Sequence, residues 1–114
     1  MDKLCKIRDI QKALENYEIA FDKKFGLSLK EAMILCGISE AECSATELAE
    51  KIDLTCSNCS KVINSVEKKG LIQRTLGTND KRNMFFRLTA DGKEKLDYII
   101  RYKPEIPEAL KNLL

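Results

Sequence analysis

A chain of 114 residues with 44% hydrophobic and 33% charged side chains is long enough for one folded core and too apolar for disorder. No apolar run reaches the roughly 20 residues that span a bilayer, and the start, Met1-Asp2-Lys3-Leu4-Cys5-Lys6, lacks a signal-peptide segment, so a cytoplasmic protein is expected. The five cysteines are odd in number, which disfavours a disulfide framework, and the net charge of +2 names no partner until its distribution is read.

Leu4, Ile7, Ile10, Leu14, Tyr17 and Phe21 recur at spacings of three and four, predicting an amphipathic helix over about residues 3–24. Ile19, Ala20 and Phe25 widen its apolar face beyond what one small winged domain needs, so either a partner chain covers it or the whole seam packs on its own domain. Gly26 ends the pattern. Ser28 and Glu31 have the spacing of a capping box for a second helix, with Ala32, Ile34, Leu35 and Cys36 on its buried side and Gly37 as its stop. A second box, Ser44 with Glu47, opens a third helix over 45–52, with Leu48 and Ile52 facing inward.

The turn Ile52-Asp53-Leu54-Thr55 then leads into a fourth helix capped by Thr55, with Cys59, Val62, Ile63 and Val66 on its apolar side to about Lys69. Gly70 fits a helix C-terminus. Residues 71–75 and 83–88 carry the apolar and β-branched content of two strands joined by Gly77-Thr78-Asn79-Asp80, a ribbon with Lys81 and Arg82 near its tip. A fifth helix starts at Thr89 or Asp91 with Leu96, Ile99 and Ile100 as its apolar positions and ends before Pro104; a short last helix follows over 107–114. The expected fold is mainly α with a small β-ribbon wing: a winged helix-turn-helix over 28–89, within one domain whose flanks, 1–25 and 90–114, dimerise.

Charge is concentrated in the same place. Between Thr55 and Leu88 seven cations face two anions, a balance of +5, and the remainder carries −3. A basic segment in a mildly acidic scaffold is the footprint of a nucleic-acid reader, although a solvated basic face gives the same count. On the fourth helix Thr55, Ser57, Asn58, Ser60, Lys61 and Asn64 offer hydroxyl, amide and ammonium groups of the kind that reach base edges in a major groove. Asn58 suits adenine, and Lys61 suits guanine or a phosphate. Arg74, Lys81 and Arg82 supply cations on the ribbon, where Arg82 is placed for a minor groove. Asp80 is expected to orient Lys81 or Arg82, or simply to serve the turn.

Cys56-Ser57-Asn58-Cys59 has C-x-x-C spacing, with Cys36 and Cys43 upstream. Four-fold metal ligation is disfavoured because the helix between Cys43 and Cys56 separates them by about 12 Å at roughly 1.5 Å per residue. Cys59 and Cys36 read as core residues. Cys56, at a helix start whose N–H groups favour an anion, is the one candidate reactive thiol. No histidine, no glycine-rich phosphate loop and no nucleophile beside an evident base are present, so no enzyme and no cofactor are expected.

The run Lys68-Lys69-Gly70-Leu71-Ile72-Gln73-Arg74, then Asp80-Lys81-Arg82, then Leu88-Thr89-Ala90-Asp91-Gly92 resembles the signature of MarR-family transcriptional regulators. The resemblance covers about residues 28–96 and more loosely the first helix. It implies a winged-helix homodimer on pseudo-palindromic duplex DNA, with the recognition helix in the major groove, Arg82 in the minor groove and dimer contacts from the first and last two helices. It also implies a small aromatic or phenolic effector in many members, but no residue here identifies one. The short segment after Thr89, broken by Pro104 and Pro107, departs from the family's longer final helices. The expected function is a DNA-binding regulator, a repressor. The alternatives are a winged-helix module for protein partners and a thiol-based regulator using Cys56.

Overall fold

The computed structural model describes residues 3–76 and 84–111. In chain order these form α1 (Lys3–Phe25), α2 (Leu29–Ser39), β1 (Cys43–Ser44), α3 (Ala45–Lys51), α4 (Cys56–Lys68), β2 (Ile72–Leu76), β3 (Met84–Leu88), α5 (Ala90–Tyr102) and α6 (Glu108–Lys111). Two compact units result, Met1–Leu29 with Tyr102–Leu114, and Lys30–Arg101. The fold class expected from sequence, mainly helical with a small antiparallel sheet, is the one observed. The expected two-stranded ribbon, however, is three-stranded in the order β1-β3-β2, because Cys43 and Ser44 pair with Phe86 and Phe85. A two-residue strand has no alternating pattern to announce it. Its only signal is the partner strand.

In the larger unit the core is built from Ile34 and Leu35 of α2, Leu48 of α3, Cys59, Ile63 and Val66 of α4, and Phe86 of β3, all buried. Burial of each large aliphatic side chain stabilises the fold by about 1.5–3 kcal/mol before entropy is subtracted. Two sequence expectations fail on α2. The helix runs through Gly37 to Ser39, and Cys36 is exposed while Ile38 is buried. Ile38 continues the face of Ile34 and Leu35 at helical spacing, which turns Cys36 outward. Gly37 is there for close packing, since a Cβ on it would lie 3.1 Å from Leu48 Cδ2. Glu31, also on α2, is buried; its carboxylate accepts from Lys69 Nζ at 2.8 and 3.0 Å and from Ser65 Oγ at 3.0 Å, tying α2 to the end of α4.

The helix ends are set by hydrogen bonds that the sequence foreshadows. Ser44 Oγ accepts from Glu47 N at 3.2 Å and the Glu47 carboxylate accepts from Ser44 N at 3.4 Å, closing the expected box. After α3, Asp53 adopts φ 54, while Asp53 N donates to Glu50 O and Leu54 N to Ala49 O. After α4, Gly70 adopts φ 76, while Gly70 N donates to Glu67 O and Leu71 N to Val66 O. Both are Schellman closures, one on an aspartate and one on the glycine that suits it.

From there a clamp fixes the start of α5. Thr89 Oγ1 donates to Gly70 O at 2.7 Å and accepts from Gly92 N at 3.0 Å, while Thr89 N donates to Leu71 O at 3.0 Å. Leu96 and Ile99 of α5 are buried, but Ile100, expected inside, is 55% exposed.

In the smaller unit α1 and α6 meet. Phe21 and Phe25 are buried and pack edge to face at 4.8 Å, with Lys24 Nζ 5.7 Å from the Phe25 ring and 6.0 Å from that of Tyr102. Along α1, Leu4, Ile7, Leu14 and Ile19 are exposed. No helix among the described residues is long and apolar enough to cross a membrane.

Candidate nucleic-acid interface

Helix α4 is thirteen residues long and begins at a true cap: Thr55 Oγ1 accepts from Asn58 N at 3.1 Å. That hydroxyl serves the helix. Cys59, Ile63 and Val66 bury one side of α4, which leaves Ser57, Asn58, Ser60, Lys61 and Asn64 exposed on the other. Ser60 and Lys61 each lie three or four residues from both Ser57 and Asn64, so the four share a face. Asn58 flanks that face beside Lys61 at i+3. The arrangement offers hydroxyl and amide groups, one ammonium, and the positive end of a helix dipole to a single surface.

Strands β2 and β3 rise beside this helix. On one sheet face the register places Ile72 opposite Leu88, Arg74 opposite Phe86 and Leu76 opposite Met84; on the other it pairs Gln73 with Arg87 and Thr75 with Phe85. With its amide oxygen turned to the guanidinium, Gln73 accepts from Arg87 Nε at 2.7 Å and Nη2 at 2.8 Å. Arg74 is bound to α4: Nε donates to Glu67 Oε2 at 2.9 Å and Oε1 at 3.1 Å, and Nη2 donates to Asn64 Oδ1 at 3.2 Å. The hydrogen bond that Arg74 donates to Glu67 is the main reason its pKa is raised, with the carboxylate's charge adding to the effect. Asn64 and Arg74 line a groove of about 320 Å³ between α4 and the strands, floored by Ile63 and Phe86.

The structure therefore brings Ser57, Asn58, Ser60, Lys61 and Asn64 onto one exposed surface and joins Asn64 to Arg74. Asp80, Lys81 and Arg82 lie outside the described residues. Glu67 carries no signal in the sequence beyond being one anion in a basic segment. Glu67 and Arg74 are seven residues apart across a helix end, a turn and a strand, so no local periodicity links them.

The matched model in a scan of protein families is that of the MarR family, over residues 27–84. The chain belongs to the MarR family. Among its relatives are the HTH-type transcriptional regulator PapX of Escherichia coli, 29% identical over 86 residues, covering 73% of this chain and 52% of PapX. The HTH-type transcriptional repressor YetL of Bacillus subtilis is 27% identical over 95 residues, covering 81% of this chain and 57% of YetL. This MarR-family chain thus spans little more than half the length of these curated relatives. The family's named relatives are transcriptional regulators rather than enzymes.

Among solved structures, the transcriptional regulator BldR of Sulfolobus solfataricus superposes with a TM-score of 0.72 at 26% identity, over 97% of this chain and 78% of BldR. Streptococcus pneumoniae FabT, solved in complex with DNA, gives 0.72 at 20% identity, over 88% and 75% of the two chains, a likeness of fold.

The two thiols at the start of this MarR-type helix differ in access. Cys56 is exposed and Cys59 is buried at 0% exposure, its pKa raised by burial and then by the neighbouring Cys56. Cys43 is buried too, with Lys51 Nζ 3.3 Å from its sulfur. Iodoacetamide labelling of the folded protein, read by peptide mass spectrometry, is expected to modify Cys56 and exposed Cys36 first. Cys43 and Cys59 should react only in denaturant, and equal rates at Cys56 and Cys59 would contradict the burial. Linkage gives the sign with pH. The unfolded Cys59 thiol ionises before the folded one, so the stability it contributes is complete below the ordinary thiol pKa and is lost as pH rises through the raised one.

Proposed function

We propose that the protein is a sequence-specific regulator of transcription that binds duplex DNA as a homodimer on a pseudo-palindromic operator and acts as a repressor by blocking polymerase. The observation that carries this reading is the exposed polar face of α4, Ser57, Asn58, Ser60, Lys61 and Asn64, on a helix whose opposite side is locked in the core. A helix in that setting can lay its N-terminal residues along base edges while Lys61 and its dipole hold phosphate. The exposed Leu4, Ile7, Leu14 and Ile19 of α1 support the dimer, because an apolar stripe of that extent on a soluble chain is normally covered. A two-fold dimer then presents two α4 helices to two half-sites about one helical turn apart. Bound in the cytoplasm over a promoter, such a dimer excludes polymerase.

Salt dependence of binding to an operator selected from genomic DNA tests this. A dimer neutralising about six phosphates gives a slope near −5 in a plot of log affinity against log salt, at roughly 0.9 per phosphate. Unlabelled unrelated duplex should fail to compete. A slope near zero would leave the fold as a protein-binding module instead, and equal competition by any duplex would remove the sequence specificity. Sedimentation of the free protein as a monomer at micromolar concentration would remove the dimer.

A further inference from the structure

Arg74 is held more closely than a phosphate-binding cation needs to be. Its Nε donates to both oxygens of Glu67, at 3.1 and 2.9 Å, its Nη2 donates to Asn64 Oδ1 at 3.2 Å, and its Cζ lies 5.5 Å from the centre of the Phe86 ring. Phe86 is itself buried, so the strand side of this contact is rigid. The guanidinium therefore bridges the recognition helix to the root of the wing, with its charge already met by a carboxylate.

The consequence falls on Asn64. A guanidinium carries only donors, so the atom of Asn64 that faces it has to be the amide oxygen, and the side-chain orientation is fixed by chemistry. The Nδ2 amine is then the group left to act, and among the described residues nothing accepts from it. An asparagine that is free to present both groups matches adenine, which offers the N7 acceptor and the N6 donor side by side. Here the N6 amino group of adenine would have to share Oδ1 with a cation whose N–H dipoles repel it. Guanine presents two acceptors, O6 and N7, and thymine presents O4. Neither needs the occupied oxygen.

We infer that Arg74 is a positioning residue that turns Asn64 into a hydrogen-bond donor toward DNA, so that Asn64 selects an acceptor edge, guanine or thymine, in preference to adenine. The inference rests on α4 being the groove-facing helix. It assigns to Arg74 an effect on base preference where charge counting alone assigns it to a phosphate. Glu67 belongs to the same device, because its carboxylate sets the guanidinium in place.

Selection of operators from random duplex DNA, run in parallel with the wild type, Asn64→Ala, Arg74→Lys and Arg74→Met, tests it. In the wild type one base pair per half-site should prefer guanine or thymine by about tenfold, and Asn64→Ala should erase that preference while leaving the others. Arg74→Met and Arg74→Lys should both shift that position toward adenine, since methionine has no donor and lysine lacks the rigid fork that meets Glu67 through Nε and Asn64 through Nη2. Arg74→Lys keeps the charge, so a phosphate contact would survive in it with base preference unchanged. That outcome overturns the inference, as does a uniform loss of affinity in Arg74→Met with a salt slope shallower by about one. An Asn64-dependent preference for adenine in the wild type, or no Asn64-dependent position, overturns it as well. If the wild type selects no sequence at all, the DNA-reading role of α4 fails first and takes this inference with it.

Discussion

Replacing Gly92 by alanine is expected to cost roughly 3 kcal/mol of stability, the upper end of what overpacking a well-packed site usually costs. A Cβ on Gly92 would fall inside the van der Waals contact of the Leu71 carbonyl oxygen and 3.0 Å from its carbonyl carbon. Backbone atoms cannot swing aside as a side-chain tip can. Leu71 O is moreover already held, since it accepts from Thr89 N at 3.0 Å, and Thr89 in turn grips Gly70 O and Gly92 N. To make room, the first turn of α5 has to move off Leu71, which breaks the clamp.

Gly37→Ala is the matched control. Its added Cβ would meet only Leu48 Cδ2 at 3.1 Å, the end of a side chain, so a loss nearer 1 kcal/mol is expected. Urea unfolding of the two variants beside the wild type measures both. If Gly92→Ala loses no more than Gly37→Ala, the close approach of α5 to Leu71 is not a constraint on the fold.

The second large effect is on binding. Asn58→Ala with Lys61→Ala is expected to weaken operator affinity by about 100-fold, combining one lost base contact of about 1–3 kcal/mol with one lost phosphate or guanine contact. Both side chains are exposed, so the melting temperature should barely move. The Thr55 cap explains why the pair is well placed: it satisfies the Asn58 backbone N–H at 3.1 Å and leaves the Asn58 side chain to face outward. Fluorescence anisotropy with a labelled operator reads the change directly. Lys61→Ala by itself should also make the salt slope shallower by about one if Lys61 meets a phosphate, and leave it nearly unchanged if it meets guanine. Unchanged affinity in the double variant would remove α4 as the reading element.

Much of this architecture is legible in the amino-acid sequence, and the reason is locality. The box at Ser44 with Glu47 and the cap at Thr55 join groups three residues apart, so the spacing alone announces them. The buried face of α4 follows from helical periodicity in Cys59, Ile63 and Val66. Gly70 sits in the left-handed conformation its position after a helix foretells. Even the candidate surface was readable, because polar residues on a helix with one apolar side have only solvent or a ligand to face.

The sequence is silent wherever a residue's role is set by a partner far along the chain. Gly37 looks like a helix stop, yet the helix runs through it, and its missing Cβ leaves room for Leu48. Cys36 looks apolar enough for the core, but Ile38, one helical step beyond Ile34, takes that place. Cys43 and Ser44 become a strand only because β3 is there to pair with them.

The sequence by itself determined the order of the elements, their caps, the polar face of α4 and the motif that led to the MarR family, since each depends on residues a few positions apart. Only the tertiary structure decided what Gly92, Glu31, Glu67 and Arg74 do. Gly92 makes room for Leu71, Glu31 binds Lys69 and Ser65 from another helix, and Glu67 with Arg74 fixes the amide of Asn64. Each of those roles is a contact across a turn or between elements, where sequence distance carries no information about separation in space.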